Sequence, residues 1–264
     1  MSNFWHATTY SQFIDLRTRP AIDLLAILPQ TLQPQIIYDL GCGPGNSTIL
    51  LKNRWPEAKV TGIDSSPNML EKAHKDYPNL HFIEADIEHF TVNEKIDLIC
   101  ANASLQWVDN HQQLFPRLIS FLSESGALAI QMPNNFHAPS HQITLNILKN
   151  NIRWQPLIKQ LRYGVLTQPF YDAKNYYDLL TEAGLDNLHI WETEYFQEMA
   201  DYHAIFDWVK GTGLRPVLSM MDQSQQSIFT EVYLDQLSHE YPLQKNGKIL
   251  LPFRRLFMVG FKPQ

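Results

Sequence analysis

Nothing in this sequence approaches the ~20 consecutive apolar residues that a membrane-spanning helix needs. Its first twenty residues, MSNFWHATTYSQFIDLRTRP, also lack the basic start and apolar run of a secretory signal. Both absences lead us to expect a soluble, cytoplasmic protein with no membrane partner. Cysteine is scarce: Cys42 and Cys100 are the only two and neither belongs to a CxxC pair, so a disulfide scaffold is excluded and a reducing compartment fits. An excess of basic charge is missing as well. With 21 Lys and Arg against 27 Asp and Glu the net charge is −6, so the chain as a whole has no pull toward nucleic acid or anionic lipid. A small-molecule partner is the expectation. Internal repeats, low-complexity runs and linkers are absent too, which argues against a second independent domain. What is present is 264 residues with 44% hydrophobic content, enough for one large core.

Apolar spacing organises the first half into alternating elements. "PAIDLLAIL" has helical periodicity, and "IIYDL" reads as a short buried strand. A glycine-rich loop follows, then "NSTILLKNRW", a helix that Asn46 or Ser47 would cap. "KVTGID", "LHFIEAD", "KIDLICAN" and "GALAIQM" are the next four strands. Between them, "SSPNMLEKAHKDY" predicts a helix with Ser66 as cap and Pro67 in its first turn. In "HQQLFPRLISFL" Pro116 either kinks the helix or marks its start. This alternation implies right-handed βαβ units and a parallel sheet with helices on both faces. In the second half, "NYYDLLTEAGL" is a helix stopped at Gly184 and "LHIWETEYF" a strand. "KILLPFRRLFMVGFK" is a long last strand, or a strand pair broken at Pro252. Stretches at about 136–170 and 201–240 lack strand-like alternation. They are expected as helical insertions at the ligand-binding end of the sheet, within one domain spanning 1–264.

The loop "YDLGCGPGNSTILL" decides what kind of ligand this fold holds. A dinucleotide fingerprint is GxGxxG directly after a strand, with a pyrophosphate on the backbone N–H groups of the following helix. Here the third glycine comes one place early, and Asn46 stands where the fingerprint has Gly or Ala. Pro44 removes one backbone donor, and an ionised Asp39 would repel phosphate at close range. The loop therefore suits a ligand that is cationic or zwitterionic where a nucleotide carries phosphates. S-adenosylmethionine, with an ammonium group and a sulfonium, fits that description. Asp64, at the end of the second strand, stands where ribose hydroxyls are held in either cofactor and cannot separate the two. Asp86, after the third strand, would accept from an adenine amino group while Ile87 packs on the ring. No second cysteine or histidine lies at zinc spacing from Cys42, so no metal is expected there. His137 and His141 are four residues apart, but Pro139 intervenes and no acidic or cysteine partner is near.

The ordered set "DLGCGPGNST", "GIDSSPNML", "EADI" and "ANASLQWV" resembles the cofactor motifs of the Rossmann-like S-adenosylmethionine-dependent methyltransferases. The resemblance continues through "QMPNN", "DWVKGTGLRP" and "RLF" and so spans nearly the whole chain. The narrower motifs "NASLQW" and "DWVKGTGLRP" carry likeness to members that methylate a carboxylate of a small tricarboxylic acid. The resemblance implies an α/β fold with a seven-stranded, mostly parallel sheet whose last strand is antiparallel, and helical insertions forming a cap. It also implies cofactor contacts at Asp39, Gly41, Gly43, Asp64, Ser65, Met69, Asp86, Ile87, Asn102 and Ala103, with Cys42 and Asn46 in the same loop.

Each further candidate has a plainer reading beside it. Trp107, after strand four, is either a core aromatic or a wall of the substrate pocket. Arg215, between Gly213 and Pro216 through Leu214, is an exposed arginine or a carboxylate clamp. Arg254 and Arg255 alternate faces if their segment is a strand, so at most one points into a site, and Arg255 is favoured as the substrate ligand. Tyr10 and Arg19 either cover the cofactor's methionine end or make a packing contact and a surface ion pair. The implied reaction is methyl transfer to a polycarboxylate, and no catalytic acid or base is expected because a carboxyl of pKa about 4 is already ionised. Alternatives are another carboxylate, such as a malonyl group on a carrier protein, and a non-catalytic S-adenosylmethionine-binding module. An NAD-dependent oxidoreductase is opposed by Pro44 and Asp39.

Overall fold

The computed structural model describes residues 14–161 and 172–264. Helix α1 (Ile14–Ala26) leads into β1 (Ile36–Leu40), α2 (Asn46–Arg54), β2 (Lys59–Asp64), α3 (Pro67–Asp76) and β3 (His81–Glu84). Then come β4 (Ile96–Asn102), α4 (His111–Phe121) and β5 (Leu122–Pro133). The remainder consists of α5 (Pro139–Asn150), α6 (Gln155–Ile158), α7 (Ala173–Glu182), β6 (Asp186–Met199), α8 (Tyr202–Lys210), α9 (Arg215–Leu218), α10 (Gln223–Glu240) and β7 (Ile249–Phe261). The strands form one sheet in the order β3-β2-β1-β4-β5-β7-β6.

The first five strands are short apolar runs, and Ile37, Leu40, Ile63, Ile96, Leu98 and Ile99 are all buried. Apolar side chains on both faces suit strands covered by helices on both sides. The pairs β1/β2, β1/β4, β2/β3 and β4/β5 are parallel. The chain order reverses between β1 and β4, and this switch point opens a crevice at the C-terminal ends of the strands.

The last strand is antiparallel, as the resemblance implied. Asn134 N donates to Arg254 O just past β5, and Lys262 N donates to Gly126 O near its start, so β7 descends as β5 ascends. Along β6 the contacts Leu188 with Gly260, Trp191 stacked on Phe257 and Glu194 with Arg254 have the same opposed sense. The sheet is therefore mostly parallel with one antiparallel strand. Three expectations need correction. Helix α4 begins at His111, so Pro116 lies inside it and is not its start. Strand β7 runs through Pro252 without a break; β5 has already ended at that level, so the missing N–H costs no ladder bond there. Helix α2 is capped by Gly45 in a left-handed conformation, not by Asn46 or Ser47, because the Ser47 hydroxyl is taken by Asp39.

The chain divides into two compact units, each with its own packing. Described residues 14–132, 172–192 and 256–264 form the first, and 133–161 and 193–255 the second. The second is largely helical. Asp201 caps α8, and Asp222 with Gln225 forms a full capping box on α10. Its interior is aromatic: Phe229 stacks on Tyr233, while Trp154 and Phe206 meet that pair edge-on.

At the N-terminal ends of the first unit's strands, one side chain ties three of them together. Asp97 Oδ2 accepts from the backbone N–H of Gln35 (2.9 Å) and Ile36 (3.0 Å), and Oδ1 accepts from Ser123 Oγ (2.7 Å). Replacing Asp97 with Asn exchanges one acceptor for a donor. We predict a loss of about 1.5–3 kcal/mol in unfolding free energy, the range for hydrogen bonds to a charged group, read from the denaturant midpoint. Cofactor affinity should stay as in the parent; an unchanged midpoint would remove this tie from the account.

Candidate active site

The glycine loop leaves β1 at the switch point and enters α2. Gly41, Gly43 and Gly45 have φ of 69°, 54° and 91°, a region that L side chains rarely adopt. Their surroundings differ. A Cβ on Gly41 would lie 2.2 Å from Ser104 Cβ, and one on Gly45 would lie 2.8 Å from the Tyr77 ring. A Cβ on Gly43 would meet nothing within 4 Å. Gly41 and Gly45 are thus glycines for the protein's own packing, and Gly43 alone presents bare backbone to open space.

That space is a cleft open to solvent, lined by Thr18, Ala21, Gly41, Cys42, Gly43, Pro44, Asn46, Ser47 and Asn102. Five of these, Gly41, Cys42, Gly43, Asn46 and Asn102, were expected at the cofactor. Thr18, Ala21, Pro44 and Ser47 were not; for Thr18 and Ala21 the reason is that nothing in local sequence shows which residue of a preceding helix will face a distant loop. Arg19 points elsewhere: its side chain is exposed and ion-paired with Asp23 at 2.8 Å, the plainer of its two readings. Tyr10 lies outside the described residues.

Asp39 sits beneath the loop with no exposed surface. Its Oδ2 accepts from Ser47 Oγ (2.7 Å) and Thr48 Oγ1 (2.6 Å), and Oδ1 has no hydrogen-bond partner. Burial pushes its pKa up to about 6; the two hydroxyls lower it, and the neighbouring Asp64 raises it further. Asp64 ends β2 and accepts from Gly43 N and Ser66 N, each at 2.8 Å. It is raised by burial and lowered by those backbone donors. The second acidic residue therefore clamps the glycine loop, and each oxygen still has a lone pair for a ribose hydroxyl.

The remaining expected residues frame the same end of the sheet. Asn102 ends β4 beside the cleft with Oδ1 buried and without a partner. Ala103 takes φ 55°, unusual for a residue with a Cβ, and is held by Gln131 O and by Gln106 Nε2. Ile87 is buried with its Cδ1 near Gly41, and Met69 is buried on α3. Ser65 and Asp86 are exposed, and Asp86 Oδ1 accepts from Glu88 N in a local turn. Asp86, Glu88 and His89 bring ligand atoms within 4.8 Å of one another, all exposed. Cys42 is buried against Leu70, Ala73 and Phe82, and its thiol is pushed well up by burial, so it packs and does not react. Trp107 closes a short helical turn, Leu105–Trp107, half-buried.

In the second unit, the two arginines of β7 diverge as their alternation requires. Arg255 is buried with its guanidinium 4.3 Å from the Phe253 ring, and Arg254 is exposed beside Glu194. Arg215 opens α9, half-buried; burial lowers it to about 10, so it remains a cation at neutral pH. His141 is buried and held neutral, lowered to about 4, with Nδ1 3.2 Å from Ser140 Oγ. His137 is exposed, so the two imidazoles make no shared face.

These features fit S-adenosylmethionine. Asp39 Oδ1 and Asn102 Oδ1 are buried acceptors lacking a donor at the cleft end of the sheet, which suits an ammonium or sulfonium and not a phosphate. The glycine contrast gives a direct test. Gly43→Ala should lower S-adenosylhomocysteine affinity at least tenfold while costing only the ~1–2 kcal/mol of a left-handed alanine. Gly41→Ala, whose Cβ has no room, should lower stability and binding together. Full affinity in Gly43→Ala would mean the ligand does not approach that backbone.

Comparison with known proteins agrees with this geometry. The methyltransferase domain family matches residues 37–126, from β1 into β5. Trans-aconitate 2-methyltransferase of Escherichia coli is 44% identical over 256 residues, covering 97% of each chain. The enzyme of the same name from Escherichia fergusonii is 45% identical over the same span. Among solved structures, a methyltransferase from Bacillus halodurans matches with a TM-score of 0.60 at 10% identity, over 93% of this chain and 100% of that one. Phosphoethanolamine N-methyltransferase 2 of Haemonchus contortus, solved with S-adenosyl-L-methionine, matches with a TM-score of 0.55 at 15% identity, over 93% of this chain and 53% of that one. At those identities the structures attest the fold alone. On full-length likeness to the curated relatives, the chain belongs to the trans-aconitate 2-methyltransferase family of S-adenosylmethionine-dependent methyltransferases.

Proposed function

We propose that this protein transfers a methyl group from S-adenosylmethionine to one carboxylate of trans-aconitate, or of a closely similar small tricarboxylic acid, giving a monomethyl ester. The observation that carries the reading is the 44% identity with trans-aconitate 2-methyltransferase over 97% of both chains. The stranded acceptors at the cleft support its cofactor half. Bound S-adenosylmethionine supplies an electrophilic methyl on a cationic sulfur. The protein's residues do the remainder. Asp39 and Asn102 hold the methionine end, Asp64 the ribose hydroxyls, and Asp86 with Ile87 the adenine. Gly41, Cys42, Gly43, Asn46, Ser65, Met69 and Ala103 complete the cofactor's surroundings.

The attacking oxygen needs no general base, because an ordinary carboxyl is ionised at neutral pH. What the protein contributes is alignment of oxygen, carbon and sulfur together with exclusion of water from the anion. Positioning of this kind supplies up to about 7–11 kcal/mol of a barrier. The other carboxylates of the acid need donors, since an unpaired buried anion costs several kcal/mol. We assign Arg215 and Arg255 to them and Trp107 to the apolar wall beside the transferred methyl. In this reading the helical insertion at 201–240 carries Arg215, and strand β7 carries Arg255.

The test is turnover of labelled S-adenosylmethionine against a panel of free di- and tricarboxylates and a carrier-bound malonyl group, with the parent and with Arg215→Ala. We expect trans-aconitate or a near relative to be the best acceptor, and Arg215→Ala to raise its KM at least tenfold with S-adenosylhomocysteine affinity unchanged. Turnover of the carrier-bound acid alone would replace the substrate, and an unchanged KM would remove Arg215 from the clamp.

A further inference from the structure

Polar atoms buried without partners cluster at the cleft end of the first unit's sheet, and they are not chemically alike. Asp39 Oδ1, Asn102 Oδ1 and Gln106 Oε1 are acceptors. They suit a cation. Gln131, near the end of β5, has no exposed surface, and neither its Oε1 nor its Nε2 has a hydrogen-bond partner. Among the described residues of the first unit, its Nε2 is the one buried side-chain nitrogen in that condition. A stranded primary amide in an apolar strand, between Ile130 and Met132, calls for a reason, because an isosteric apolar residue would fill the same volume without stranding a donor and an acceptor.

The strand register says what lies nearby. Gln131 pairs with Asn102 across the parallel β4/β5 ladder, so the two side chains share a face, and Asn102 lines the cleft. Asp39 pairs with Cys100, two residues before Asn102, and therefore also lies on that face. The backbone around Gln131 is built with care: its carbonyl accepts from the N–H of Ala103, the residue held at positive φ. On the reading above, the adenine is at β3, the ribose at β2 and the methionine end at β1 and β4. With strands about 4.8 Å apart, β5 is the next position beyond the methionine end, where the cofactor's own carboxylate and the acid that is methylated both come into question. A group needing a donor at that position is a carboxylate.

We propose that Gln131 is a substrate-binding residue, its Nε2–H donating to a carboxylate oxygen of the acid that is methylated. The inference rests on the proposed function, and it adds an amide on the sheet to the acid's proposed donors. A neutral donor suits the reacting carboxylate: it orients the oxygen without the full positive charge that would blunt its attack on a cationic methyl.

Gln131→Met keeps the volume and removes both polar atoms. In this variant we expect KM for the best tricarboxylate to rise at least tenfold and calorimetric binding of that acid to the S-adenosylhomocysteine-loaded protein to weaken equally. S-adenosylhomocysteine affinity should stay within twofold, and the melting temperature of the cofactor-free protein should not fall. Gln131→Asn keeps the amide but draws it back by one methylene, and should weaken the acid's binding while leaving S-adenosylhomocysteine untouched, a readout that stands even if the Met variant fails to fold. Loss of S-adenosylhomocysteine affinity in either variant would place the amide on the cofactor and overturn the proposal. An unchanged KM, with or without a lower melting temperature, would make Gln131 structural. Failure of the parent protein to methylate any free tricarboxylate would overturn the functional reading and this proposal together, whereas parent turnover with unaffected variants would overturn this proposal alone.

Discussion

The site is organised by one carboxylate that is buried without a counter-charge among the described residues. Asp39 lies in the middle of the sheet with no exposed surface, directly under the glycine loop, and two hydroxyls from the first turn of α2 hold one of its oxygens. None of the groups that shift its pKa is a cation. A raised pKa of about 6 means that ionising Asp39 costs the folded protein roughly 3 kcal/mol relative to an ordinary carboxyl. Sequence, packing and ligand choice meet here. The strand must place the residue, the loop must pass over it closely, and on the proposed assignment a cation arriving at the other oxygen relieves the stored cost.

The linkage has a definite sign. Because the folded pKa lies above the unfolded value of about 4, the folded protein keeps a proton that the unfolded chain releases between pH 4 and 6. Its contribution to stability is therefore greatest below pH 4, declines as pH rises to about 6, and stays low above that. On the proposed assignment of Asp39 to the cofactor ammonium, binding runs the other way, since that contact needs the ionised form. Asp64 belongs to the same device: the bond it accepts from Gly43 N fixes the loop that roofs Asp39, the one from Ser66 N fixes the start of α3, and its own negative charge makes the space between the two more attractive to a cation.

Much of this was legible in the sequence, because it depended on residues close together in the chain. The βαβ alternation, the three glycines and the acidic residues at the strand ends all follow from periodicity and local spacing. The alternation of Arg254 and Arg255 followed from strand geometry and holds in β7. What stayed hidden depended on contacts between distant segments. Local sequence does not distinguish a glycine that avoids Ser104 from one that faces open space, and Gly41 and Gly43 differ in that respect. The cap of α2 was misassigned because Ser47, a good capping residue by type, is recruited by a carboxylate eight positions earlier. Gln131 fell within "QMPNN", but nothing local assigned it a role, since a glutamine in an apolar run shows its stranded amide only once the strand is paired and buried.

The most direct measurement is the stability of the cofactor-free protein and of Asp39→Asn, followed by denaturant unfolding from pH 4 to 8, with S-adenosylhomocysteine affinity measured in parallel. The account predicts that the substitution becomes progressively more stabilising relative to the parent as pH rises from 4 to 6, by up to about 3 kcal/mol, while ligand affinity falls at least tenfold at neutral pH. A stability difference independent of pH, or a variant that binds the ligand as well as the parent does, would contradict the claim that this buried charge selects the cationic cofactor.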